Sequence, residues 1–325
     1  MDIYYIGESS MKRLFGLVLL LGIPLSGILF GSPIKLIEPA EAIRLIGNNS
    51  VIFVSGDNND AYKKNHIIGS VEMYVHNLHL PDVEGNMRCT PPYICLPKAQ
   101  SYIQSKGIKN NQMIIAYDNF YGSNATGIYN FFESLGHRDI RVLNGGLEGI
   151  KALDPNQQVF DKLKAKRKIT ENNIATAIKA DKIDELEKLK SKAEGITAKM
   201  NMLEPKLLVQ GGKEKLHGES DYQLDPTKFN MEYIANKAEV KKAMDDIIEN
   251  GESSKFIIIY TCSMEEKTGI EKVDNAVKDG NITRIKFIDW KNIADMRNKK
   301  SFKSLEEMQK IFEKLGIKRC QTIYA

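Results

Sequence analysis

The sequence predicts an α/β fold built twice, each copy a parallel sheet covered by crossover helices. Three observations carry this. The block Gly107-Ile108-Lys109-Asn110-Asn111-Gln112-Met113-Ile114-Ile115-Ala116 returns as Gly316-Ile317-Lys318-Arg319-Cys320-Gln321-Thr322-Ile323-Tyr324-Ala325, so a structural unit is repeated. Met113 to Tyr117 is apolar and bounded by polar residues, as expected of a strand buried on both faces of a parallel sheet. Such strands alternate with segments of helical spacing, which requires crossover helices.

Taken in order, the chain opens with a segment outside the fold. Met11-Lys12-Arg13 leads into an apolar stretch from Leu14 to Phe30 that Pro24 interrupts, the layout of a secretory signal. Residues 1–32 are therefore expected to be removed on export to a bacterial periplasm, with cleavage near Ser26 to Ser32. The rival reading is a retained membrane anchor, because the stretch is about long enough to span a bilayer. No cysteine follows the run to accept a lipid.

The first unit spans 33–153. Leu96 and Gln100 match Leu305 and Gln309, so one helix is expected twice, each time before the repeated block. After the strand at Met113 to Tyr117, Ile128, Phe131, Phe132 and Leu135 keep helical spacing over Asn124 to Leu135. Gly136 stops that helix, and Ile140 to Leu143 is the next strand. An insertion follows at 154–230. Within it Ile183, Leu186, Leu189, Ala193, Ile196, Met200 and Leu203 form an apolar stripe that Pro205 ends, with Asp184 and Lys188 spaced for an i,i+4 pair. A helical hairpin packed on its own domains is the preferred reading, and a coiled-coil arm the alternative. The second unit is 231–325. Ser304 and Glu307 make a capping box, Leu305, Met308, Ile311, Phe312 and Leu315 an apolar stripe, Gly316 a left-handed stop, and a strand begins at Thr322.

Two segments resemble a known family. LGHRDIRVLNGG (Leu135 to Gly146) resembles the "LGH…V.VLdGG" segment of rhodanese-like sulfurtransferases, and YKKNHIIGS (Tyr62 to Ser70) resembles their "Y..gHIPGA". The chain is similar to tandem-rhodanese proteins of the thiosulfate or mercaptopyruvate sulfurtransferase type. The resemblance implies two rhodanese-like domains, the first noncatalytic, with 154–230 as a helical connector and 231–325 as a truncated second domain. It also implies sulfane-sulfur transfer through a cysteine persulfide without metal or organic cofactor, from a small sulfur donor to a thiol or cyanide acceptor. In such proteins a loop of the type C-x-x-G-x-x-A follows the strand that here begins at Thr322. Its amides and the helix behind it stabilise a thiolate.

By the internal register that cysteine belongs within about two residues past Ala325, at the place Asp118 holds in the first copy. The full-length form is therefore expected to transfer sulfur, and the 325-residue chain to be inactive. Asp118 cannot form a persulfide, and its charge is expected to repel anionic thiosulfate. Cys320 begins CQTIYA, a superficial match to the loop, but it aligns with Asn111, ahead of the strand, and is read as a turn thiol. Cys262, in FIIIYTCSMEE, falls where relatives carry a strand ending in "D.R" and is read as a buried structural thiol. Gly280-Asn281-Ile282-Thr283-Arg284-Ile285 replaces the "GHIPGA" turn, while Trp290 keeps the family's aromatic place.

The remaining residues bound the function. At 325 residues and 42% hydrophobic, the chain has room for two α/β cores and a linker. Its net charge of +4 is scattered, which argues against a nucleic-acid partner, and a membrane partner is expected only if the signal is uncleaved. Cys89 and Cys95 flank TPPYI and are near enough to pair in an oxidising compartment. His76 and His79 precede them, but the set lacks Cys-x-x-Cys spacing and is not read as a metal site. His66 and His137 are read as turn supports, and His217 as a linker residue without an evident partner. The alternative function is a noncatalytic rhodanese-like module that binds a partner or a sulfur compound.

Overall fold

In the computed structural model, described residues are 35–78, 95–119, 121–214, 217–230, 232, 235–268, 283–298 and 300–325, without the side chain of 266. Met11 to Arg13, the Leu14 to Phe30 stretch, His79, Cys89 and Gly280 to Ile282 lie outside them. No helix among the described residues is long and apolar enough to cross a membrane.

The first half runs β1 (Leu36–Ile37), α1 (Pro39–Ala42), β2 (Val51–Ser55), α2 (Asn59–Lys64), β3 (His66–Ile67), β4 (Val71–Glu72), α3 (Leu96–Ser105), β5 (Met113–Tyr117), α4 (Ser123–Ser134), β6 (Ile140–Leu143) and α5 (Gly146–Leu153). Five of its strands make a parallel sheet of order β1-β6-β5-β2-β4. Because side chains alternate along a strand, each apolar run feeds two cores. Ile52, Val54, Ile114 and Ala116 face one side with Ile103 of α3 and Ile128, Tyr129 and Phe132 of α4. Phe53, Ile115 and Tyr117 face the other with Leu147 and Ile150 of α5.

The insertion is a hairpin of α6 (Pro155–Lys179) and α7 (Ile183–Leu203). Asp154 caps α6 by accepting from the Asn156 amide at 2.9 Å. Helices α6 and α7 pack on each other. The predicted stripe is the less exposed face of α7 from Leu186 to Leu203, but Ile183 at its start is 64% exposed. The less exposed positions of α6 are Phe160, Leu163, Arg167, Thr170, Ile174 and Ala177. The hairpin therefore packs chiefly on itself, with its base against α5, because the stripe is consumed within it. Asp184 and Lys188 do not pair with each other; Lys182 and Glu185 do, at 3.2 Å.

The rest of the insertion is not a linker but part of the first half. β7 (Val209–Gln210) pairs antiparallel with β3. Gln104 Nε2 donates to the Tyr222 carbonyl at 2.8 Å, and the Leu224 amide donates to Gln100 Oε1 at 2.9 Å. Val209 and Tyr222 are buried in the two cores. Glu214 holds Lys106 at 3.0 Å beside Glu72, and His217 Nε2 donates to the Gly69 carbonyl at 3.0 Å, so His217 has a partner. Extended segments with one anchor per several residues have no periodicity to read, so nothing local in the sequence distinguishes this strap from a connector.

The second half runs α8 (Lys237–Asn250), β8 (Phe256–Tyr260), α9 (Met264–Thr268), β9 (Lys286–Phe287), α10 (Leu305–Lys314) and β10 (Thr322–Tyr324), with a parallel sheet of order β10-β8-β9. Its registers repeat those of the first half. Met113 lies opposite Val51 as Thr322 lies opposite Phe256, and Val71 opposite Val54 as Lys286 opposite Ile259. Ser304 and Glu307 form the expected capping box. The stripe of α10 is only half-buried at Met308, Ile311, Phe312 and Leu315, and Leu305 is 82% exposed. In the first half the matching α3 buries Ala99 and Ile103 among residues of α4 and the strap. Lys35–Ala325 nevertheless hold together as one unit.

Candidate functional site: the Asp118 loop

β5 ends at Tyr117, and the chain turns through Asp118 to Gly122 into α4. The turn closes on the Asp118 side chain. The Gly122 amide donates to Oδ1 at 3.0 Å, and the Asn124 and Ala125 amides donate to Oδ2 at 3.1 and 3.3 Å. These are the orphan donors at the start of a helix, where negative charge is favoured. Gly122 adopts φ +83°, a left-handed conformation that glycine reaches without strain. The carboxylate, which precedes the helix as expected, is turned inward onto the start of α4 and buried. Burial raises its pKa to about 6; the Gly122 amide opposes this, the charge of Asp57 adds to it, and the Ala125 and Asn124 amides oppose it.

Asp57 is the neighbour that sequence reasoning missed. Asn124 Nδ2 donates to its Oδ1 at 2.9 Å, and burial raises its pKa against that bond. Asp57 follows β2 as Cys262 follows β8, and this shared place was the signal available in the sequence.

A second helix start meets the same loop. Gly145 and Gly146 both have positive φ and turn β6 into α5, and a Cβ on Gly146 would fall against the Asp118 carbonyl oxygen. That oxygen accepts from the Leu147 amide at 2.9 Å, and Asn119 O accepts from Glu148 at 3.1 Å. The remaining Gly145 amide donates to Ser301 Oγ at 2.9 Å, from the second half, and the Ser301 amide donates to Asn144 Oδ1 at 3.0 Å. Trp290 meets Tyr121 edge-on at 5.2 Å.

The histidines support turns. His66 Nδ1 donates to the Tyr62 carbonyl at 2.9 Å and its ring stacks on Tyr62 at 4.2 Å. His137 donates through Nε2 to the Gln112 carbonyl at 3.0 Å, and its Nδ1 accepts from the Tyr222 hydroxyl at 3.2 Å; burial lowers its pKa. Ser70 joins the Tyr62 and Tyr117 hydroxyls beneath the loop.

The cysteines are dispersed. Cys320 is an exposed free thiol in the turn before β10. Cys262 is free and half-buried rather than fully enclosed, with Sγ directed at the Ser263 carbonyl at 3.2 Å. Cys95 is disulfide-bonded, and so has no thiolate to offer a metal. No group of three or more His, Cys, Asp or Glu suited to a metal occurs among the described residues.

Residues 38–153 match the rhodanese-like domain family. Among solved structures the chain is similar to the 3-mercaptopyruvate sulfurtransferase SseA of Escherichia coli, at 14% identity and TM-score 0.57, covering 89% of this chain and 87% of that one. It is also similar to the anaerobic ergothioneine biosynthesis enzyme of Chlorobium limicola in complex with trimethyl histidine, at 15% identity and TM-score 0.53. A third likeness, at 15% identity and TM-score 0.55, is to an EanB variant carrying a cysteine persulfide with ergothioneine. Those two alignments cover 89% of this chain but only 59% and 60% of theirs. No curated protein matches the sequence. The chain thus carries a rhodanese-like domain at residues 38–153 and has the fold of the rhodanese-like sulfurtransferases.

Proposed function

We propose that the chain is a sulfurtransferase-family protein of two rhodanese-like halves, in which 38–153 is noncatalytic and sulfane sulfur is carried, in the full-length form, on a cysteine of the second half. The observation that carries this reading is the shared strand register. It sets β10 against β8 as β5 is set against β2, so the place matching Asp118 falls two residues past Ala325. There a thiolate would attack the sulfane sulfur of a small donor such as thiosulfate. An S–S bond forms, the bond to sulfite breaks with its electron pair, and a thiol or cyanide then removes the outer sulfur to return the thiolate. No organic or metal cofactor enters these steps.

Neither free cysteine has the surroundings this chemistry needs. Cys320 lies in the turn before β10 with no helix start behind it, and Cys262 Sγ is directed at the Ser263 carbonyl, an acceptor rather than a donor that would hold a thiolate. With thiosulfate and cyanide, the 325-residue chain is expected to show negligible turnover, unchanged in Cys262→Ser and Cys320→Ser. Robust turnover abolished by Cys320→Ser would overturn the register and make CQTIYA a working loop.

The reading includes export to a bacterial periplasm, which the Met11 to Phe30 pattern and the disulfide at Cys95 support. Mass spectrometry of exported protein is expected to find a chain starting beyond Phe30. An intact Leu14 to Phe30 segment would instead indicate a membrane anchor.

A further inference from the structure

The Asp118 loop is closed from both sides. Inside, the Asp118 carboxylate engages three amides at the start of α4. Outside, residues of the second half lie directly on the turn: a Cβ added to Gly122 would stand 2.7 Å from Ser301 Cβ and 3.3 Å from Phe302 Cζ. Ser301 is 1% exposed and bonds to Gly145 and Asn144, while Phe302 packs against the first core. Lys300 lies 3.6 Å from Glu38, whose other oxygen accepts from Asn144 Nδ2 at 2.7 Å. Trp290 rests edge-on against Tyr121 in the same turn.

We propose that this loop is a self-filled anion cradle serving as an intramolecular docking seat, with Asp118 as its resident anion and the second half of the chain, through Trp290 and Lys300 to Phe302, as its partner. The physical reason is order. A turn with three converging amides is held in one shape only while an acceptor fills it, since buried donors left unpaired are costly. Filled by a tethered carboxylate, the turn presents a fixed surface at Tyr121 and Gly122. The same filling leaves no vacancy for a sulfur anion in this half. The inference goes beyond the sulfur-transfer reading and stands whether or not the second half carries sulfur.

Trp290 is the only tryptophan, so its fluorescence reports the seat directly. In Asp118→Ala, acrylamide quenching of Trp290 at neutral pH is expected to rise several-fold over wild type. Millimolar formate, which can replace the missing carboxylate, is expected to restore shielding in the variant and leave wild type unchanged. A folded Asp118→Ala protein with Trp290 as shielded as in wild type would overturn the proposal, as would formate acting equally on both. Should that variant fail to fold, Gly122→Ala keeps the carboxylate but sets a methyl against Ser301. It is expected to expose Trp290 too, and wild-type shielding there would overturn the docking role. No sulfur donor is present in these measurements, so their outcome is separable from that of the turnover assay.

Discussion

Tyr222→Ala is expected to destabilise the first half by about 3–5 kcal/mol, the range for emptying a large aromatic site in a core. Tyr222 lies outside residues 38–153, yet it is 2% exposed, belongs to the first core and binds His137 through its hydroxyl. Its backbone is tied to α3 through Gln104. The loss should appear as a lower denaturation midpoint in chemical unfolding of the whole chain, with faster hydrogen exchange in α3 and α4. A change below about 1 kcal/mol, the size of an ordinary surface substitution, would mean that the strap merely lies on the first half.

The pH dependence of stability should carry the mark of Asp118. Burial, with Asp57 beside it, raises this carboxyl from 3.8 to about 6 in the folded state despite three amide bonds. A raised acid pKa means that the folded protein binds the proton more tightly than the unfolded chain. The associated stability is present below about pH 4 and is lost as pH rises through about 6, to a total of about 3 kcal/mol by pH 7. The difference in unfolding free energy between wild type and Asp118→Asn reports this contribution together with that of Asp57, whose charge is coupled to it, because the groups not coupled to Asp118 cancel. That difference is expected to move against wild type across the window; a flat difference would show that the amides offset burial completely.

The sequence made the regular elements legible and left the long-range ones hidden. β5 was readable because burial on both faces makes every residue apolar, and the start of α10 because Ser304 and Glu307 are three apart and bond to each other. The arm α6 was not: the face it buries includes Thr170 and the half-exposed Arg167, whose polarity breaks the apolar stripe. At the site, the place of Asp118 followed from the internal repeat, but its inward turn did not, since a residue type does not state which amides converge on it. Ser301 was beyond reach for another reason. It bonds to Gly145 across 156 positions, and nothing local distinguishes it from other serines.

If sulfur is carried only at the place matching Asp118, then no cysteine of the 325 residues should hold it. Intact mass of the protein after treatment with thiosulfate tests this most directly, because it detects a persulfide without requiring a competent acceptor. The expected result is an unchanged mass in wild type, Cys262→Ser and Cys320→Ser alike. One added sulfur atom in wild type, retained in Cys262→Ser and lost in Cys320→Ser, would contradict the register and identify the exposed thiol before β10 as the carrier.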